Sequence, residues 1–315
     1  LYFPIFGYSP IYMNTYLQLN HKQQILKSKH QVIDIKMKDT VRSSYHRIVK
    51  RGVAGITASS RVLPDFIIIG TARSGTTSLY YNICEHPSVL PAAYDEIGFF
   101  DSNYHLGINW YRSMFPTKRK MEQVKEKTGF ALTGEDTPFY IWDPLVAERI
   151  LKILPNVKLI VLIRNPVDRA YSNYHLGLRS GTENLSFEDA IKSELSKLET
   201  VETNSENITA KFTIPRSYIV KGLYAEQLKI WFELFRSDQL LIVNTDDFEV
   251  HPQKVLNEIY GFLEIPEINI GNLEKHKVES YEKMKSDTRG FLLDLYKPYN
   301  EILFNLIGQK FDWDK

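Results

Sequence analysis

Asp65-Phe66-Ile67-Ile68-Ile69-Gly70-Thr71-Ala72-Arg73-Ser74-Gly75-Thr76-Thr77-Ser78-Leu79 is the stretch on which the fold turns. Its first five residues form a short apolar run, the pattern of a strand buried on both faces of a parallel sheet. A glycine-bearing turn follows at once, and then a helix start rich in hydroxyl side chains. Strand, turn and helix in that order let backbone N–H groups and a helix N-terminus cradle a phosphate. Gly75 permits the tight turn, Ser74 lies inside it, and Thr76, Thr77 and Ser78 can add hydroxyl donors. Against the nucleoside-triphosphatase pattern G-x-x-x-x-G-K-[ST], Gly70, Gly75 and Thr77 fit, but Thr76 occupies the lysine position. The cation stands three residues upstream, at Arg73. Such a loop suits a 5′-phosphate with one transferring group better than a β/γ-phosphate pair. A turn that merely starts a helix would share the composition.

Two further apolar runs extend the picture, Val157-Lys158-Leu159-Ile160-Val161-Leu162-Ile163 and Gln239-Leu240-Leu241-Ile242-Val243. Helical patterns lie between and after them. Asp143-Pro144 is a capped start with proline at the first helical position, followed by Leu145, Val146, Ile150, Leu151 and Leu154. Leu223, Leu228, Trp231, Phe232 and Phe235 recur at helical spacing, as do Val255, Ile259, Phe262 and Leu263. Phe291, Leu292, Leu295, Leu303 and Leu306 do the same near the end. Buried strands separated by helices predict an α/β, P-loop-like three-layer sandwich, with a central mainly parallel sheet flanked by helices. Ligands in such sheets bind beyond the carboxyl ends of the strands. The core is expected over residues 61–315. Residues 1–60, polar and basic after an aromatic start, read as an extension packed on it.

The second apolar run leads directly into Arg164-Asn165-Pro166-Val167-Asp168-Arg169-Ala170-Tyr171-Ser172. Arg164 falls where the strand leaves the sheet, on the same edge as the first loop. Pro166 can open a helix and place Ser172 about two turns on. An arginine with a serine hydroxyl makes a compact site for a second phosphate. A helix-start ion pair of Arg164 with Asp168 is the competing reading. Between the two loops, Tyr94-Asp95-Glu96-Ile97-Gly98-Phe99-Phe100 holds a carboxylate beside an aromatic pair. In a partly apolar cleft Glu96 would have a raised pKa and could act as a general base.

Bulk properties narrow the function classes. The chain has 315 residues, 43% of them apolar, and 39 basic side chains against 38 acidic ones. That balance offers no global field to nucleic acid or an anionic membrane, so any anionic ligand must be caught locally. No apolar stretch approaches the roughly 20 residues that span a bilayer. A single cysteine, Cys84, allows no internal disulfide and reads as a small core residue. With no secretory signal in the sequence, it favours a cytoplasmic setting, the alternative being a Golgi luminal catalytic domain. No cluster has metal-ligand spacing, so no metal is expected. Residues 1–13 read as a docking arm or a tag remnant, the charged run over 199–211 as a solvated loop, and Arg289 as a helix-end residue.

Taken together, residues 64–313 resemble the sulfotransferase superfamily. The closest likeness is to the heparan sulfate N-deacetylase/N-sulfotransferases and 3-O-sulfotransferases and their bacterial relatives. Residues 71–78 resemble the loop that holds the 5′-phosphosulfate of 3′-phosphoadenosine-5′-phosphosulfate (PAPS), and Arg164 with Ser172 resembles the 3′-phosphate pair. The stretch 94–111 is similar to the segment carrying the catalytic glutamate, which falls on Glu96. Lys221-Gly222-Leu223-Tyr224-Ala225 resembles a stretch near the nucleotide, implicating Tyr224. Asn300-Glu301-Ile302-Leu303 and Phe311-Asp312-Trp313 are typical of this branch.

The resemblance implies in-line transfer of a sulfuryl group from PAPS to a hydroxyl or amine acceptor, most naturally a glycan, leaving 3′-phosphoadenosine 5′-phosphate (PAP). Glu96 would take the acceptor proton while Arg73 and the loop amides stabilise charge. Three departures stand out: Arg73 replaces the usual lysine, Gly98 replaces a histidine, and Asp136 replaces an acceptor-side lysine. The last argues against heparan sulfate itself as substrate. The stretch Lys275-His276-Lys277-Val278-Glu279-Ser280-Tyr281 lacks the flanking cysteines of the vertebrate enzymes, and Lys277 is its candidate 3′-phosphate contact. A sulfotransferase for small alcohols or natural products, a P-loop kinase and a non-catalytic nucleotide-binding protein are the competing functions.

Overall fold

Phe66–Gly70 forms the central strand (β1), every residue of it buried. The computed structural model describes residues 56–204, 217–271 and 281–314. Along the chain β1 is followed by Thr76–Cys84 (α1), Val89–Pro91 (β2), Ile108–Arg112 (α2), Lys118–Thr128 (α3) and Leu132–Asp136 (β3). Then come Pro144–Ile153 (α4), Lys158–Ile163 (β4), Pro166–Ser180 (α5) and Phe187–Asn204 (α6). Tyr224–Leu234 (α7), Leu240–Asn244 (β5), Thr245–Val250 (α8), Pro252–Phe262 (α9) and Ser286–Ile307 (α10) complete the order.

The five strands form one sheet in the order β2-β3-β1-β4-β5, and every pairing is parallel. Strand order reverses beside β1, since the chain runs from β1 to the β2 edge and later returns to β4 on the other side. That is where an open parallel sheet leaves a crevice at its carboxyl ends. Alternate residues of β1 feed two cores. Ile67 and Ile69 join Trp231, Phe100 and Tyr140 on one face, whereas Phe66 and Ile68 join Leu79, Val255 and Ile259 on the other. The expected three-layer arrangement is therefore present, with helices covering both faces.

The three apolar runs are strands, displaced by about one residue from their expected bounds. Two strands escaped the hydrophobic pattern. β2 has only three residues. β3 reads Leu-Thr-Gly-Glu-Asp and is nonetheless buried from Thr133 onward. Its polar groups find partners instead of water: Thr133 Oγ1 donates to Leu90 O at 2.7 Å, and Thr133 N donates to Asp65 Oδ2 at 2.8 Å. The expected loop over 199–211 also requires correction, because α6 runs on to Asn204; residues 205–211 lie outside the described residues. So do residues 1–13 and the expected extension over 1–60, except for residues 56–60.

Candidate active site

The turn between β1 and α1 is pinned from two sides. Thr71 N donates to Leu162 O of β4 at 2.6 Å, and the Thr71 and Ser74 hydroxyls share a hydrogen bond of 2.6 Å. Thr245, at the start of α8, donates through its hydroxyl to Ser74 O and to Ile163 O, both at 2.9 Å. Thr71, Ser74 and Thr76 are buried, whereas Gly75 is exposed. Gly75 has φ 93° and no side chain of its own caps α1. A helix N-terminus of this kind offers N–H groups to an anion. Arg73 adopts φ 75°, in the left-handed region that non-glycine residues rarely visit.

From that position Arg73 Nε donates to Ser172 Oγ at 3.0 Å, across 99 residues of sequence. Arg164 Nη1 donates to Arg73 O at 3.2 Å, and Tyr224 hydroxyl donates to Arg164 O at 2.8 Å. The expected donor-site residues Arg73, Ser74, Gly75, Thr76, Thr77, Ser78, Arg164, Ser172 and Tyr224 therefore belong to one cluster at the carboxyl edge of β1 and β4. Asn165 caps α5 by accepting from Val167 N at 3.0 Å, which sets the helix that carries buried Ser172. The competing Arg164–Asp168 pair does not form. Asp168 instead takes Arg289, with Nη1 to Oδ1 at 2.7 Å, so Arg289 ties α10 to α5. Lys277 lies outside the described residues.

Glu96 stands on the neighbouring edge, its backbone N–H donating to Asp136 O at 3.0 Å and its φ at 50°. Its side chain is exposed. The buried carboxylate here is Asp136, at 0% exposure. Burial, and then the charges of Asp95 and Glu96, push its pKa up to about 7. Its neighbour Glu135 is also raised to about 7 by burial, although Tyr111 and Thr137 hydroxyls donate to it at 2.5 and 2.9 Å. Cys84 is a partly buried thiol pushed up to about 12 by burial, in keeping with a packing role. Among the described residues, no group of three or more His, Cys, Asp or Glu side chains could hold a metal ion.

Sequence reasoning missed the roles of Thr71 and Thr245. Thr245 had a legible signal: it directly follows an apolar strand, at the sheet edge where ligands bind. Nothing in local sequence marks Thr71 beyond its place in the loop.

Residues 63–296 match the family described as the sulfotransferase domain. A membrane-associated sulfotransferase, kil1, of Dictyostelium discoideum is 30% identical to this chain, over 80% of the chain and 66% of that protein. The bifunctional heparan sulfate N-deacetylase/N-sulfotransferase 4 of Mus musculus is 29% identical, over 78% of this chain and 30% of its own. The chain thus spans less than two thirds of the length of either relative. A sulfotransferase crystal structure from Alicyclobacillus acidocaldarius superimposes with a TM-score of 0.61 at 25% identity, covering 81% of this chain and all of that one.

Proposed function

The chain belongs to the sulfotransferase domain family, and from that premise we propose that it transfers a sulfuryl group from PAPS to a hydroxyl or amine of a saccharide acceptor. The observation that supports this reading is the Arg73–Ser172 hydrogen bond, which links the loop after β1 to α5. The donor residues fit a nucleotide bearing a phosphate at each end. Loop amides and the open N-terminus of α1 suit the 5′-phosphosulfate, while Arg164 and Ser172 suit the 3′-phosphate. When bound, PAPS supplies the sulfuryl group and a phosphate leaving group.

The chain's own residues do the rest. Arg73 and the loop N–H groups stabilise charge building on the sulfonate and on the departing phosphate. Glu96, exposed beside the end of β3, takes the acceptor proton. It lies on a different segment from Arg164 and Ser172, so proton removal and nucleotide holding can be tested apart. The saccharide part of the reading draws on the relatives named for heparan sulfate.

Replacing Glu96 with Gln tests the assignment. The variant is expected to bind PAP as the parent does while its turnover with labelled PAPS and a desulfated glycan falls about 10²-fold or more. Turnover close to that of the parent would remove Glu96 from the role of base.

A further inference from the structure

Glu96 stands on backbone that belongs to neither strand nor helix. Glu96 at φ 50° and Gly98 at φ 59° both lie in the left-handed region. A non-glycine residue stays there only where its surroundings enforce it. The enforcement comes from β3 and the turn that follows it. Glu96 N donates to Asp136 O at 3.0 Å. Gly98 N donates to Thr137 Oγ1 at 3.2 Å, and the N–H groups of Phe99 and Phe100 donate to the Tyr140 hydroxyl at 2.7 and 3.2 Å. Three of these four N–H groups therefore end on two side-chain hydroxyls.

The two hydroxyls share a further partner. Thr137 Oγ1 donates to Glu135 Oε2 at 2.9 Å, and the Tyr140 hydroxyl donates to Glu135 Oε1 at 3.4 Å. Tyr111 hydroxyl joins them on Oε1 at 2.5 Å. All four residues are at most 1% exposed, so bulk water does not compete for these groups. A hydroxyl has one proton to give, and an ionised carboxylate can only accept. Glu135 thus draws each proton to itself and leaves the lone pairs of Thr137 and Tyr140 facing the backbone N–H groups. A donor in place of either carboxylate oxygen would compete for those lone pairs. It would also leave a hydroxyl proton without an acceptor, which is costly in a buried site.

We propose that Glu135 is a positioning residue for the transfer reaction: it fixes the proton direction of Thr137 and Tyr140, and through them holds the backbone of residues 98–100 so that Glu96 is presented to the acceptor. The inference rests on Glu96 acting as the base, and it names what keeps that base in place. Fully buried, Glu135 acts only through the hydroxyls.

The test joins kinetics to hydrogen exchange on Glu135→Gln, which keeps the shape and turns one oxygen into a donor. It is run at pH 8, where a carboxyl lifted to about 7 is ionised. Turnover of labelled PAPS with a desulfated glycan is expected to fall about 10-fold or more, with PAP affinity unchanged in calorimetry. The amides of Gly98, Phe99 and Phe100 should exchange at least about 10-fold faster, and those of β1 and α1 as in the parent. Adding Glu135→Gln to Glu96→Gln should lower turnover little further, because one residue acts through the other. Thr137→Val should reproduce the loss, and Thr137→Ser, which keeps the hydroxyl, should restore most of it. Parent-like turnover or parent-like exchange in Glu135→Gln overturns the proposal, as do losses that multiply in the double variant. If Glu135→Gln does not fold, equal turnover in Thr137→Val and Thr137→Ser overturns it. A parent inactive on the glycan, or Glu96→Gln as active as the parent, strikes the functional reading instead. The exchange rates of Glu135→Gln then still decide for or against its hold on residues 98–100.

Discussion

Glu135 and Asp136 are neighbours in sequence that face opposite sides of β3, since successive strand side chains alternate. One is satisfied by three hydroxyls and the other by none. Both have pKa values lifted to about 7, with burial the first cause. A carboxyl group raised on folding holds its proton in the folded state over a range where the unfolded chain has lost it. Stability therefore falls as pH climbs from about 4 to about 7. For Asp136, the displacement from 3.8 to about 7 corresponds to at most about 4 kcal/mol. Thermal melts at pH 5 and pH 8 check this. The parent should lose stability between them, and Asp136→Asn should lose less and be the more stable protein at pH 8. A variant less stable than the parent at pH 8 would mean that the carboxylate has a structural partner. Sequence placed Asp136 in the acceptor region through its family likeness, but burial and isolation of its carboxylate come only from the packing of α1 and the loop around Glu96. The same holds for Glu96, whose position was legible and whose exposure was not.

At the scale of elements, legibility followed apolar content. β1, β4 and β5 are runs of Ile, Leu and Val and declared themselves. β3 did not, because its polar groups are satisfied by Tyr111 and Asp65 from distant segments and by Thr137 and Tyr140 just after the strand. Glycine spacing within β3 is itself a packing device. A Cβ at Gly134 would strike the ring of Phe66 on β1, and overfilling such a contact typically costs about 1–3 kcal/mol. Gly134→Ala should therefore lower the melting temperature by several degrees. Gly261 in α9 is the opposite case, since a methyl group added there would meet nothing within 4 Å. Gly261→Ala should raise stability by about 0.5–1 kcal/mol through helix propensity. Equal effects of the two substitutions in chemical denaturation would contradict the close β1–β3 contact. The helix α6 was misread because its charged second half looks like a solvated run, and a solvated helix face and a solvated loop share that composition.

Across the whole molecule, a strand order that reverses beside β1 gathers residues from distant parts of the chain onto one edge. Arg73 comes from the first turn, Arg164 and Ser172 from the end of β4 and from α5, Tyr224 from α7 and Thr245 from α8. Their identities could be read one by one, but their hydrogen bonds could not, since those depend on how helices pack over the sheet. Arg164 and Ser172 beside the loop after β1 are what would make the proposed site select a 3′-phosphate over a general nucleotide. The most direct test is calorimetric titration of the protein with PAP beside ADP. The account predicts micromolar binding of PAP and little binding of ADP, with Arg164→Ala weakening PAP by about 10-fold or more. Equal affinity for the two nucleotides would contradict the assignment of Arg164 and Ser172 to a 3′-phosphate, and with it the sulfuryl donor proposed for this chain.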